Sequence, residues 1–337
     1  MSVAFAGTAQ ELRLRLRRDL LVNIVLGGLY TSVARQHRVQ YLASRTTIDG
    51  TPIAQVPSAK SRWPAIVVVL VFLALRVANE FDAGPPLPVL AIAGVLLMPW
   101  LWATVVARSI GAIRWRDCAL SFRAGWREVY LACWPLLVLG VAWALLQPRV
   151  AALAESDDLD WHVAAGAGVA ALVAFPLLVT LAFNLKRLRF AGTLVGDCRV
   201  HWPARFRDWL RQWSLAALAV AATAVAPVLL LRRALFGPLS MDEGAKTLAI
   251  YMASLALIVL LSVPARAWHE ARMFALTWDG VRVGEHARVR CALDVRAFVR
   301  LRALDTWRTL RSLGRHRAQA VVNAYRAKLA ALTVEAG

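Results

Sequence analysis

Five stretches of this chain run for about twenty residues without a charge: Leu87–Ala107, Val129–Leu146, Val163–Leu185, Trp213–Leu231 and Thr247–Ala265. No other feature restricts the fold as much. A helix rises 1.5 Å per residue, so roughly 20 apolar residues cover the ~30 Å hydrocarbon core of a bilayer. Inside lipid a lone segment must satisfy its own backbone, which leaves helix as the expected form. Trp63–Leu75 is shorter and reaches Asn79 if Arg76 turns its guanidinium into the headgroups. Leu20–Ala34 is shorter still, carries Asn23, Gly27 and Gly28, and reads as a re-entrant or tilted segment. A mean hydropathy of +0.54, with 59% hydrophobic and 18% charged residues, argues against a soluble domain.

The basic residues set the expected orientation. Segments 1–19, 35–62, 108–128, 186–212 and 264–337 hold 35 of the 40 Lys and Arg, and the stretches 76–86, 147–162 and 232–247 hold the other 5. The positive-inside rule puts the first set in the cytoplasm. The outer set includes the acidic group Glu155, Asp157, Asp158 and Asp160. Four arginines precede Leu20, and they stay inside only if Leu20–Ala34 enters and returns. The expected fold is an all-α polytopic protein of the bacterial inner membrane, with six transmembrane helices plus one re-entrant helix and both termini cytoplasmic. Seven spans with the N-terminus outside is the alternative. Cleavage of a signal peptide after Ser32-Val33-Ala34 is rejected, because Arg35 and Arg38 follow at once and oppose translocation. The chain divides by this reading into an N-terminal basic segment (1–62), a transmembrane bundle (63–293) and a basic arm (294–337).

The inner loops share a pattern. Thr47-Ile48-Asp49-Gly50, Thr193-Leu194-Val195-Gly196 and Thr277-Trp278-Asp279-Gly280 each follow a basic helical extension, and Ile113–Asp117 is a degenerate fourth copy. From Val281 to Cys291, Val and Cys alternate with Arg around a glycine turn, which predicts a short cytoplasmic β-hairpin with one apolar and one basic face. Each unit thus reads as span, basic exit helix, β-segment and next span, an arrangement found in transporters and in inert scaffolds alike.

Those segments carry a family resemblance. Phe5, Gly7, Glu11-Leu12 and Asn23, then Leu26-Gly27-Gly28-Leu29-Tyr30, Ala34-Arg35, Arg38 and Tyr41, resemble the opening of the YjgN-like family of bacterial inner-membrane proteins. Trp115-Arg116, Leu120, Phe122, Gly125, Arg127-Glu128 and Tyr130 resemble its second unit. Ala271-Arg272, Trp278, Gly280, Arg282, Gly284, Glu285 and His286 resemble its last hairpin. The series covers nearly the whole chain. It departs at Thr31–Val33, where the family has a Pro-Trp pair, and at the charged Val299–Leu313, where the family has its last membrane helix. The resemblance implies a location and a fold and brings no established activity.

The basic arm repeats Val295, Phe298, Leu301, Leu304, Trp307, Leu310 and Leu313 among five arginines. It is too charged to span, since each central Arg costs about 3 kcal/mol on insertion scales. Amphipathic helices on the anionic inner leaflet and a cap over the bundle fit the same stripe equally well.

Sites are sparse. Cys198 and His201 form no complete zinc set, no nucleotide or hydrolase motif occurs, and the four cysteines make no CxxC. No catalytic residue, metal or cofactor is expected. Glu270 and Asp279 are expected to pair with Arg266 or Arg272. Nucleic acid is not an expected partner, because the charge follows topology and no nucleic-acid motif appears. The expected lipid or anion contacts are Arg35, Arg38, Arg114, Arg116, Lys186, Arg187, Arg189, Arg266, Arg272 and Arg282. A polar path through the spans would use Asn23, Thr104, Thr180 and Asn184. The leading function is a non-enzymatic membrane protein whose basic cytoplasmic face contacts anionic phospholipid or a partner protein. A transporter or channel for a small or amphiphilic solute is the alternative.

Overall fold

The computed structural model describes residues 2–25, 31–55, 86–116, 118–154, 161–230, 244–285 and 287–336. In chain order its elements begin with β1 (Val3–Phe5), α1 (Ala9–Val25), α2 (Thr31–Ser44), β2 (Thr46–Ile48), β3 (Thr51–Pro52) and β4 (Ala54–Gln55). Then come α3 (Pro86–Gly111), β5 (Ile113–Trp115), β6 (Cys118–Phe122), α4 (Trp126–Ala132), α5 (Trp134–Ala154) and α6 (Trp161–Ala191). After β7 (Thr193–Val195) and β8 (Cys198–His201) follow α7 (Phe206–Leu230), α8 (Gly244–Leu261) and α9 (Val263–Trp278). The last elements are β9 (Arg282–Val283), β10 (Ala287–Cys291), α10 (Val295–Arg311), α11 (Arg317–Ala330) and β11 (Leu332–Ala336). The chain forms two units, a central one of Thr51–Phe206 with Val281–Ala287, and a terminal one of Met1–Gly50, Arg207–Gly280 and Arg288–Ala336.

In the central unit α5 packs against α3 and α6. At Gly140 the backbone of α5 comes so close to Val95 that an added Cβ would lie 2.5 Å from a valine methyl. Small residues permit this approach where helices associate by packing alone. Tyr130 donates to the Leu96 carbonyl (3.1 Å) and Asn184 to the Ala132 carbonyl (3.3 Å), tying α4 to its neighbours.

The strands of this unit form one antiparallel run, β4 to β9. The turn of β5–β6 holds Arg116 at φ 53°, and that of β7–β8 holds Gly196 at φ 60°. The same left-handed position is thus filled once by a glycine and once by a residue with a Cβ. This run corrects the all-α expectation of separate hairpins. A lone two-stranded hairpin is marginal in water and has open edges, and pairing β6 with β7 and β8 with β9 closes them.

The terminal unit is built around α11. Ala318 and Val322 pack with Leu12 of α1 and Tyr41 of α2, and Ala324 packs with Ala271 of α9 and Phe298 of α10. Ser2 bridges Thr333, so the first and last strands meet. Tyr41 clamps the start of α1, its hydroxyl donating to the Thr8 carbonyl (2.8 Å) and accepting from the Thr8 N–H (2.9 Å). The Asp294 carboxylate caps α10 by accepting from the N–H groups of Arg296 and Ala297.

Six spans are not supported. Among the described residues, two helices are long and apolar enough to cross a membrane, Ile92–Gly111 and Gly168–Ala191. Met252–Leu261 with Val263–Trp278 makes a third only if a pair bent by 41° counts as one. The uncharged run Val129–Leu146 is broken at Cys133, where α4 ends and Trp134-Pro135 opens α5. Thr247–Ala265 is broken at Ser262, ahead of Pro264. Proline has no N–H to give the preceding turn, so it sits at a helix start. Of Trp213–Leu231, all but Leu231, which lies outside the described residues, falls within α7, whose first turns carry Arg207, Asp208 and Arg211. Of Leu20–Ala34, residues 20–25 lie in α1 and 31–34 in α2, and residues 26–30 lie outside the described residues. The expected span Trp63–Leu75 and the acidic group 155–160 lie outside the described residues.

Candidate functional site

The ten expected lipid contacts are divided between the two units. Arg114, Arg116, Lys186, Arg187, Arg189 and Arg282 belong to the central unit, and Arg35, Arg38, Arg266 and Arg272 to the terminal unit. Arg114, Arg187, Arg189, Arg272 and Arg282 are exposed, Lys186 and Arg38 are half-buried, and the Arg35 side chain is outside the description. Arg116 lays its guanidinium 4.8 Å from the Trp115 ring centroid. Arg266 has a different task. Its guanidinium donates to the Val259 carbonyl (2.8 Å), which also accepts from the Ser262 hydroxyl (2.9 Å), at the break between α8 and α9.

The expected pairing of Glu270 and Asp279 with Arg266 or Arg272 is also corrected. Glu270 joins Lys328 of α11 (2.7 Å) and Arg302 of α10 (3.3 Å), and Asp279 accepts from the Cys291 N–H (3.1 Å). These partners lie far along the chain, and spacing within α9 gives no sign of them. A second polar tie links α10 to α11, where the Asp305 carboxylate, 1% exposed, meets His316 (3.2 Å) and Asn323 (3.1 Å).

The polar residues of the expected path satisfy neighbouring groups. Thr104 donates to the Trp100 carbonyl and Thr180 to the Pro176 carbonyl, each one helical turn back. Asn184 reaches Ala132, and Asn23 accepts from the Thr31 hydroxyl across the α1–α2 pair (3.0 Å). On β8, Cys198 and Val200 share one face while Arg199 and His201 are exposed on the other. Strand alternation therefore separates the thiol from the imidazole three residues on. Among the described residues no group of three or more His, Cys, Asp or Glu side chains is placed to hold a metal ion.

Two cavities stand out. In the terminal unit a groove of about 680 Å³ runs between α7, α9 and α10, walled by Leu215, Ala219, Pro264, Trp268 and Val299, with Arg296 and Arg300 at its edge. In the central unit a cavity of about 660 Å³ lies where α3 meets β6 and α4. Arg108, Arg123, Arg199 and Glu128 line it together with Thr104, Phe122 and Trp126. Of these, the sequence marked Thr104 for the polar path and Phe122 and Glu128 for the family resemblance, and it marked none of the three arginines. The available signal was the placement of Arg108 in the last turn of an apolar helix and of Arg123 directly after a strand.

The outer face of α10 is the third feature. Phe298 and Asp305 turn inward, while Leu304 (55%), Trp307 (64%) and Leu310 (47%) are exposed beside Arg300, Arg308 and Arg311. Leu313, just past the helix, is 94% exposed.

A protein family described as bacterial protein of unknown function (DUF898) matches residues 1–337. The chain belongs to that family. The match is consistent with the YjgN-like resemblance and names no activity. No curated protein and no solved structure matches the chain.

Proposed function

We propose that this is a multi-pass, non-enzymatic protein of the bacterial inner membrane whose basic cytoplasmic face holds anionic phospholipid. One observation carries the reading, the outer face of α10. Exposed Leu304, Trp307, Leu310 and Leu313 interleaved with arginines match an interfacial helix, whose apolar side enters the acyl boundary while its charges meet phosphate. Each well-placed basic residue near an anionic leaflet adds about 1 kcal/mol. The apolar groove of the terminal unit, edged by Arg296 and Arg300, supports the same partner. Pairing of Ser2 with Thr333 supports both termini on one side.

Quenching by brominated phosphatidylglycerol in nanodiscs tests this. Wild type should lose more tryptophan emission than Trp307→Phe, and the difference should shrink when Arg300, Arg308 and Arg311 are all changed to Glu. Equal quenching of wild type and Trp307→Phe would place this face in water and sink the reading.

The break between α8 and α9 favours a second reading, a conduit for a small or amphiphilic solute. Discontinuous helices in transporters present freed backbone groups to substrate. Here Ser262 and Arg266 already satisfy the freed Val259 carbonyl, which weakens the case. Native mass spectrometry decides between the two. A stoichiometric non-lipid adduct, lost on mutating Thr180 or Asn184, would favour transport. Adducts of anionic lipid alone would favour the first reading.

A further inference from the structure

We propose that the central cavity is a phosphate site, shaped for the headgroup of an anionic phospholipid whose chains lie along α3. The proposal rests on the lipid-contact reading and gives it a defined pocket. The backbone assembles the site from distant segments. Ser121 of β6 pairs with Leu194 of β7, and Leu194 pairs with Arg199 of β8, so Arg199 sits two strands from the end of β6. Arg123 is held beside that end by its N–H bond to the Gly192 carbonyl (2.8 Å). Arg108 comes from the last turn of α3.

Charge identifies the ligand. Among the described residues Arg108, Arg123 and Arg199 line the cavity with one carboxylate, Glu128. Glu128 is already engaged, its carboxylate accepting from the Gly125 N–H (3.1 Å). Among the described residues neither Arg123 nor Arg199 forms an ion pair. Clustered like charges repel, and a bound anion removes that repulsion. Guanidinium forks match phosphate oxygens in pairs, which an ammonium does not do. A phosphate monoester carries a charge of about −1.5 to −2 at neutral pH and is drawn to clustered arginines more strongly than a diester, with about −1.

The walls point to a lipid rather than to free phosphate. Thr104, Ala107, Phe122 and Trp126 give the cavity an apolar side, and α3 contributes the spanning stretch Ile92–Gly111. A headgroup among the arginines leaves its acyl chains beside that helix, in the bilayer. The two-tailed monoester phosphatidic acid is therefore the expected best ligand, ahead of phosphatidylglycerol, with zwitterionic phosphatidylcholine last.

Native mass spectrometry of the full-length protein, titrated with each of the three lipids in mild detergent, reads the site. Wild type should retain one phosphatidic acid per chain, and Arg123→Ala with Arg199→Ala should lower its apparent affinity at least tenfold. Arg123→Lys with Arg199→Lys, which keeps charge and loses the fork, should fall between. Matching melting curves without lipid show that these variants fold. A variant with Arg300, Arg308 and Arg311 changed to Ala should keep the bound lipid. If that variant loses it while the Arg123/Arg199 variants do not, the cavity proposal falls and the α10 reading stands. Equal retention of phosphatidylcholine would also overturn the proposal. So would broadening of the ³¹P resonance of inorganic phosphate that needs Arg123 and Arg199 without any bound lipid, since the ligand would then be a soluble anion.

Discussion

Gly7 shows how much a single position can decide. A Cβ there would lie 2.3 Å from the Phe5 ring and 2.9 Å from the Tyr41 hydroxyl. The ring cannot swing away freely, because it stands edge-on to both Tyr41 and Tyr325. Gly7→Ala should cost about 1–3 kcal/mol, the range for overpacking, and lower the melting temperature of the purified protein. An unchanged melting temperature would mean that Phe5 has room to move. The two tyrosines supply a pH signature. Burial raises both phenols above their usual value, and Glu11 adds to the rise at Tyr41. The fold therefore favours their neutral forms. That contribution is complete below the ordinary phenol pKa of about 10, and it is lost as pH climbs through the folded values. Stability should fall on alkaline titration above about pH 10, less steeply in Tyr325→Phe, as read by chemical denaturation at each pH. Phe5, Gly7, Leu12 and Tyr41 all carried the family resemblance in sequence, and they prove to be one packed knot. By contrast, nothing local marks Arg123 and Arg199 as neighbours, because the β6–β7–β8 register that joins them links segments about 75 residues apart.

At the scale of elements, hydropathy located apolar helices and missed where they stop. An uncharged run reports only that lipid would accept the side chains; two of the breaks fall beside Pro135 and Pro264 in the first turn of the next helix, while Pro99 and Pro176 lie inside helices that continue. The alternation of Arg288 and Arg290 with Val289 and Cys291 did predict β10, with the arginines outward. The joining of hairpins into a run was not legible, because each edge pairs with a distant partner. Two contacts between elements make direct tests. Gly140→Leu should separate α5 from α3 at Val95 and cost at least 1 kcal/mol, and Gly140→Ala less, measured by thermal unfolding in detergent. Asp305→Ala should cost about 2–4 kcal/mol, because it leaves His316 and Asn323 without their acceptor in a buried site. If Asp305→Ala unfolds like wild type, the tie between α10 and α11 contributes nothing.

Across the terminal unit, the two ends of the sequence are parts of one core. Val322 of α11 is wholly buried against Leu12 and Tyr41, Arg326 donates to the Gly7 carbonyl (2.9 Å), and Tyr325 meets Thr46 (3.1 Å). The basic arm is thus a structural part of the unit on its inner side, while its outer side carries the exposed apolar and basic residues proposed above to meet lipid. This changes how the arm must be probed. Deleting residues 294–336 would uncover Leu12, Tyr41 and Ala271 along with removing the outer arginines, and any loss of lipid binding would follow from unfolding. Replacing Leu304, Trp307 and Leu310 by Ser alters only exposed positions and should leave the fold intact. Limited proteolysis separates the two cases. The deletion should become cleavable within α1 and α2 at protease levels that leave wild type whole, and the triple Ser variant should resist like wild type while losing anionic-lipid contact. A deletion as resistant as wild type would show that α1 and α2 hold together without α11.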